Sequence, residues 1–129
     1  MQAHDSSRLL RVSLFSNAVF SSVSGVCFIA ASGPLAALIG LEFPMILVAI
    51  GVSLVAFAAG LVLNAKRPTV NQREAWIAVV LDLAWVVGSV VVIFTGVLST
   101  TGNWAVAIVA DVVLVFAILQ FRGLRKMQQ

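Results

Sequence analysis

The chain has 129 residues, 61% of them hydrophobic and 10% charged, with a net charge of +3. Water-soluble domains run about 45–50% apolar and about 25% charged, so this composition excludes an ordinary soluble domain, which would lack the polar surface to cover it. Disorder is excluded equally, because it needs low hydrophobicity and high charge. What remains is an integral membrane protein. One spanning helix needs about 20 residues, so four would fill most of the chain and leave only connectors. The expected fold is all-α, a four-helix membrane bundle forming a single domain over 1–129, with any chemistry inside the bilayer or at its faces.

Met1–Ser7 is polar, Arg8 and Arg11 follow, and no further charge appears until Glu42. The first span is predicted over about 9–31 and ends at Ser32-Gly33-Pro34, since proline disfavours helical geometry in the residue before it. Pro34–Leu41 reads as a short apolar helix (about 34–41) capped by Ser32 or Gly33 and ended by Gly40. It is too short to span, so it is expected in the interface or folded back on the bundle. The second span is predicted over about 43–64. It opens at Phe43-Pro44, because a helix's first turn tolerates the missing N–H, and closes before Lys66-Arg67-Pro68. The third is predicted over about 74–98 and the fourth over about 103–121. The polar turn Ser99-Thr100-Thr101-Gly102 makes these two an antiparallel hairpin, and Arg122, Arg125 and Lys126 follow them.

All eight Lys and Arg residues fall on one side of this four-span topology: two in the N-terminal segment, three in the 65–73 connector and three after the last span. The opposite connectors hold none and carry Glu42. The positive-inside rule therefore predicts that both termini are cytoplasmic. Trp76 and Trp104 fall at opposite membrane edges, as an aromatic belt requires. Arg8, Arg11 and the apolar run up to Ala30-Ala31-Ser32 have some features of a signal peptide. The run is longer than the usual 7–15 residues and its first half is rich in Ser and Asn, so a retained helix is expected. The net positive charge is read as topogenic, and nucleic acid is not an expected partner. Cys27 is the single cysteine and is expected to be buried and inert.

Asp82 and Asp111 are not explained by topology. An ionised carboxylate at mid-bilayer costs at least about 2.5–3.5 kcal/mol, so such residues are expected to face the bundle interior. At about 1.5 Å per residue, Asp82 lies about 13 Å from Arg73 and Asp111 about 16 Å from Arg122. The two carboxyls are therefore expected at similar depth on neighbouring helices, sharing a proton or binding a cation, since two close carboxylates in low dielectric do not both ionise readily. The plainer reading is a carboxyl hydrogen-bonded to Ser, Asn or Trp, or in contact with a partner subunit. Ser13, Asn17, Ser21 and Ser24 share one face of the first helix at spacings of four, four and three. Asn17 and Ser21 lie about 9 and 15 Å from Arg11, so a patch of Asn17, Ser21, Asp82 and Asp111 is predicted. Ser13, Trp85 and Ser89 are possible lining, and Ser53 is a deeper, weaker candidate. The same serines and asparagine can equally glue helices together. The small-residue pairs Ser21/Gly25, Ala56/Gly60 and Ala84/Gly88 are read as intramolecular packing, with a dimer face as the alternative.

No catalytic residues, metal site or cofactor are assigned. The only histidine, His4, lies far from Cys27, no His or Lys inside a span can serve a serine as base, and no P-loop or dinucleotide fingerprint is present. The opening arginines, the Asn- and Ser-bearing first helix and Gly-Pro-Leu-Ala-Ala-Leu-Ile-Gly-Leu at 33–41 before a second helix resemble small bacterial four-helix inner-membrane proteins of the DoxX-like kind. This resemblance covers the first half of the chain. It implies a four-helix bundle with both ends in the cytoplasm and redox partners for some members, and it transfers no site residues. Three functions are compatible with the residues. The leading one is an accessory or assembly subunit of a membrane complex, because there is no room for a soluble domain and no catalytic set. The alternatives are a small proton- or cation-coupled transporter or channel using Asp82 and Asp111, and a binder of lipid, quinone or another apolar ligand in an intrabundle pocket. The expected partners are the lipid bilayer and another membrane subunit or a second copy.

Overall fold

The computed structural model describes the backbone of residues 2–128 and the side chains of residues 7–127. Its elements are α1 (Gln2–Ala30), α2 (Ser32–Ile39), α3 (Pro44–Lys66), α4 (Gln72–Thr95) and α5 (Thr100–Gln128). The helices α1, α3, α4 and α5 are long and apolar enough to cross a membrane, and the chain is a small multi-pass membrane protein. Large apolar side chains face outward, as lipid allows: Phe94 is 85% exposed and Met45 71%.

The first and last helices exceed their expected spans. Helix α1 begins at Gln2 and α5 continues to Gln128, because no proline interrupts either and Arg, Leu, Lys, Met and Gln all favour helix. Helix α4 instead stops at Thr95, three residues short of the expected 98. Gly96 adopts a left-handed φ of 73° there and returns its N–H to the Ile93 carbonyl at 3.3 Å, a conformation open to glycine. The short helix α2 folds back on the bundle. It ends at Gly40 (φ 87°), and Ser99 ties it to the start of α5 by donating its backbone N–H to the Ile39 carbonyl at 2.9 Å and its hydroxyl to the Leu38 carbonyl at 2.9 Å.

Helix α1 is the centre of the bundle, packed along α3 on one side and α5 on the other. Helix α4 packs on α5, whereas α3 and α4, although consecutive in sequence, scarcely touch. The bundle thus has one open side. Its apolar core gathers at the basic end, where Leu10 and Leu14 of α1 meet Ala58 and Leu61 of α3, Ala75 and Val79 of α4, and Leu124 of α5.

Several expectations change here. Cys27 is exposed rather than buried. Trp76 packs against the core, with its ring edge-on to Phe121 at 5.6 Å, while Trp104 is 69% exposed. Of the small-residue pairs, only Ser21/Gly25 packs within the chain, with Gly25 against Gly51 of α3. Ala56/Gly60 and Ala84/Gly88 face outward, and a Cβ at Gly60 or Gly88 would meet nothing within 4 Å. His4 lies outside the residues whose side chains are described.

Arg11 carries more than topogenic charge. Its guanidinium donates to the carbonyls of Ala65 (3.0 Å), Arg67 and Pro68 (2.8 Å), and its Nε donates to Ser7 Oγ at 3.2 Å. It therefore satisfies carbonyls left open at the end of α3 and pins the 67–71 connector to α1. Asn64 completes the closure by donating to the Asn71 carbonyl at 3.0 Å and accepting the Asn71 N–H at 2.8 Å. Arg11→Ala is expected to cost about 1–2 kcal/mol, given hydrogen bonds to a charged donor that are partly exposed. Arg11→Lys should recover less than half of that, because an ammonium cannot span the carbonyl set as a planar fork does. Thermal unfolding of both variants in one mild detergent checks the order.

Candidate functional site

Three helices bring polar side chains to one level just above the apolar core. On α1, Ser13, Asn17 and Ser21 are four residues apart and lie on one inward face, 2%, 1% and 4% exposed. On α4, the stripe Ala75, Ala78, Asp82, Trp85 and Ser89 repeats at spacings of three and four. It turns Asp82 inward, where the residue is 4% exposed. On α5, Ala110, Val113, Ala117, Gln120 and Leu124 are buried at the same alternating spacing.

Asp82 is the hub. Its Oδ2 accepts hydrogen bonds from Asn17 Nδ2 at 2.9 Å and from Gln120 Nε2 at 2.8 Å. Asn17 Nδ2 also donates to Gln120 Oε1 at 3.1 Å, and Ser21 Oγ donates to Asn17 Oδ1 at 3.1 Å. This buried network joins α1, α4 and α5. Among the described residues, Oδ1 of Asp82 receives no hydrogen bond.

The structure brings together Asn17, Ser21 and Asp82, and it does not bring Asp111 to them. Asp111 is exposed on the outer side of α5. It is one residue beyond buried Ala110, and one residue is a rotation of about 100° on a helix, enough to carry it off the inward stripe. A carboxylate pair between Asp82 and Asp111 is therefore absent. Ser13 closes back on its own helix, donating to the Leu9 carbonyl at 2.7 Å, and Ser89 likewise donates to the Trp85 carbonyl at 2.8 Å.

The member that a search for ionisable groups overlooks is Gln120, which is fully buried. It sits two residues from Arg122 and so reads as the polar end of a span. Its phase carried the signal, because Val113, Ala117 and Gln120 follow one another at four and three, the repeat of a helix-packing seam.

Above the polar layer is a cavity of about 380 Å³, within the range of small-molecule pockets, about 300–1,000 Å³. Phe20 and Phe28 of α1, Phe57 of α3 and Trp85 of α4 contribute aromatic walls, and Ser21 and Asp82 reach it from the polar layer. Its lining includes Ala49 and Ser53 of α3 and Leu81 of α4, which are exposed on the bundle surface. The cavity thus opens sideways, where α3 and α4 part. Trp85 lines the cavity with its ring, and its indole Nε1 is fully buried with no hydrogen-bond partner. Ser53 is occupied locally, donating to the Ala49 carbonyl at 2.9 Å.

The site can accept a largely apolar molecule and orient it by two polar points. Among the described residues, no group of three or more His, Cys, Asp or Glu side chains is arranged to hold a metal ion. No protein-family model matches the chain, and no curated protein or solved structure matches it.

Proposed function

We propose that this protein binds a small, mostly apolar molecule from the bilayer in its intrabundle cavity. The observation that carries the reading is an aromatic-walled cavity, open between α3 and α4, into which the buried Asp82 and Ser21 reach. The apolar body of such a ligand packs between Phe20, Phe28, Phe57 and Trp85. A hydroxyl or amine on the same ligand suits the free Oδ1 of Asp82, and the aromatic walls suit a ring. Access is lateral, between α3 and α4, so the ligand partitions into lipid first. The confinement of all eight Lys and Arg residues to one end supports cytoplasmic termini, and the DoxX-like resemblance supports a bacterial inner-membrane setting. The transporter reading loses its paired carboxylates, since Asp111 lies outside the site.

Native mass spectrometry of the protein, extracted gently from its own membranes, tests this reading. The wild type should retain a small molecule. Ser53→Trp, which plugs the mouth from an exposed position, should lower retention about tenfold or more. Trp85→Ala removes one aromatic wall and should weaken binding about fivefold. The reading fails if the wild type carries nothing and no ring-containing apolar compound raises its melting temperature.

A second reading, an accessory subunit of a membrane complex, is favoured by the outward Ala56/Gly60 and Ala84/Gly88 pairs. Small residues of this kind let a neighbouring helix approach closely.

A further inference from the structure

Asp111 is eleven residues from Thr100, where α5 begins, and eleven from Arg122. At about 1.5 Å per residue that is about 16 Å each way, and half the hydrocarbon thickness is about 15 Å. The carboxyl therefore sits at the middle of the bilayer, on the exposed side of its helix. It makes no hydrogen bond or ion pair with the described residues. The chain has nothing with which to neutralise it there, because no Lys, Arg or His occurs between residues 74 and 121 or between 12 and 65. A carboxylate left in lipid at this depth costs at least about 2.5–3.5 kcal/mol on insertion scales.

The surroundings of Asp111 form a seam. Trp104, Ile108, Asp111, Val115 and Ile118 recur at spacings of four, three, four and three, and every one is exposed. This is the two-in-seven repeat of a helix that packs against another. It runs along α5 beside the buried stripe that contains Gln120, and among the described residues no helix covers it.

We infer that the Asp111 seam of α5 docks a transmembrane helix of a different protein that carries a Lys or Arg at mid-span. Charge complementarity selects this occupant. A second copy of this chain would bring another Asp111 and no cation, so two carboxyls would meet where one already lacks a partner. A foreign cation pairs with Asp111, and both residues then become tolerable in lipid. The inference rests on the accessory-subunit reading and supplies its surface and the partner's chemistry. It is independent of ligand binding in the cavity, which opens on the α3–α4 side.

The test uses the full chain in its native membranes with the photo-crosslinker p-benzoylphenylalanine in place of Ile108 or Val115, which flank Asp111. The expected adduct is a single membrane protein with Lys or Arg near the centre of a span. Asp111→Leu should lower its yield about tenfold or more, and Asp111→Glu should retain it. Replacing the partner's cation with Leu should have the same effect as Asp111→Leu. Both Asp111 variants sit on the outer face, so elution profile and melting temperature should match the wild type. Adducts with lipid alone, with a second copy, or with a protein lacking an in-span cation each overturn the inference, as does a yield unchanged by Asp111→Leu. The same crosslinker at Gly60 or Gly88 separates the two levels. An adduct there with a silent Asp111 seam sinks this inference and keeps the subunit reading, whereas silence at all positions sinks both.

Discussion

Asp82→Ala is expected to destabilise the bundle by about 2–3 kcal/mol, through two buried donors that lose their common acceptor. Gln120 Nε2 is left with nothing, and Asn17 Nδ2 keeps only Gln120 Oε1. Hydrogen bonds between membrane helices average about 0.6 kcal/mol, because the unfolded chain finds other partners in the bilayer. The larger figure is expected here because three helices share one carboxyl oxygen and all members of the network are buried. Asp82→Asn retains a carbonyl oxygen for both donors and should cost less than about 1 kcal/mol. The double-mutant cycle of Asn17→Ala and Gln120→Ala should be strongly non-additive, since both donate to Oδ2. Reversible unfolding in mixed detergent measures all of these. Equal stability of Asp82→Ala and the wild type would remove the network's structural role.

The second large effect is expected at the α1–α3 crossing. A Cβ on Gly51 would lie 2.6 Å from the Gly25 carbonyl oxygen, and one on Gly25 would lie 2.7 Å from the Gly51 carbonyl oxygen. Each glycine is the hole into which the other's backbone fits, and neither obstacle is a side chain that can swing away. Gly51→Val should therefore push α1 and α3 apart at the broadest interface of the bundle, at a cost of about 3 kcal/mol, and should widen or collapse the cavity beside it. Gly51→Ala should share the direction with a smaller size. Gly60→Ala and Gly88→Ala meet open space and should stay within about 0.5 kcal/mol of the wild type. Melting temperatures of the four variants rank them. If Gly51→Ala behaves like Gly60→Ala, the close crossing is not what holds α1 to α3.

The contrast between Asp111 and Gln120 shows where sequence reasoning reaches its limit. Both lie on α5, and the charged one drew attention because ionisable residues in a membrane are expected to face inward. The inward residue is the neutral one. In a water-soluble bundle the hydrophobic period would have separated the two faces. In lipid that signal fades, because the side facing neighbouring helices and the side facing acyl chains are both apolar. What survives is the spacing of small and polar side chains. Of the α1 face predicted from Ser13, Asn17, Ser21 and Ser24, the first three are buried and Ser24 is half-buried. On α5, the buried small residues Ala110 and Ala117 placed Gln120 in phase and Asp111 out of it.

By itself the sequence determined the membrane class, the number of spans, their approximate limits and the confinement of basic residues to one end. These are properties summed along the chain: a helix's length against the bilayer thickness, and the cost of placing charge in lipid. The bounds moved where no helix breaker stood, at Gln2 and Gln128, or where a left-handed glycine did, at Gly96. Only the tertiary structure decided that α1 lies at the centre, that α3 and α4 part to open a cavity, and that Asp82 bonds to Gln120 rather than facing Asp111. Those outcomes depend on how backbones approach one another at Gly25 and Gly51 and on how each helix is rotated about its axis. Neither quantity is carried by the apolar pattern of a chain whose surroundings are as oily as its core.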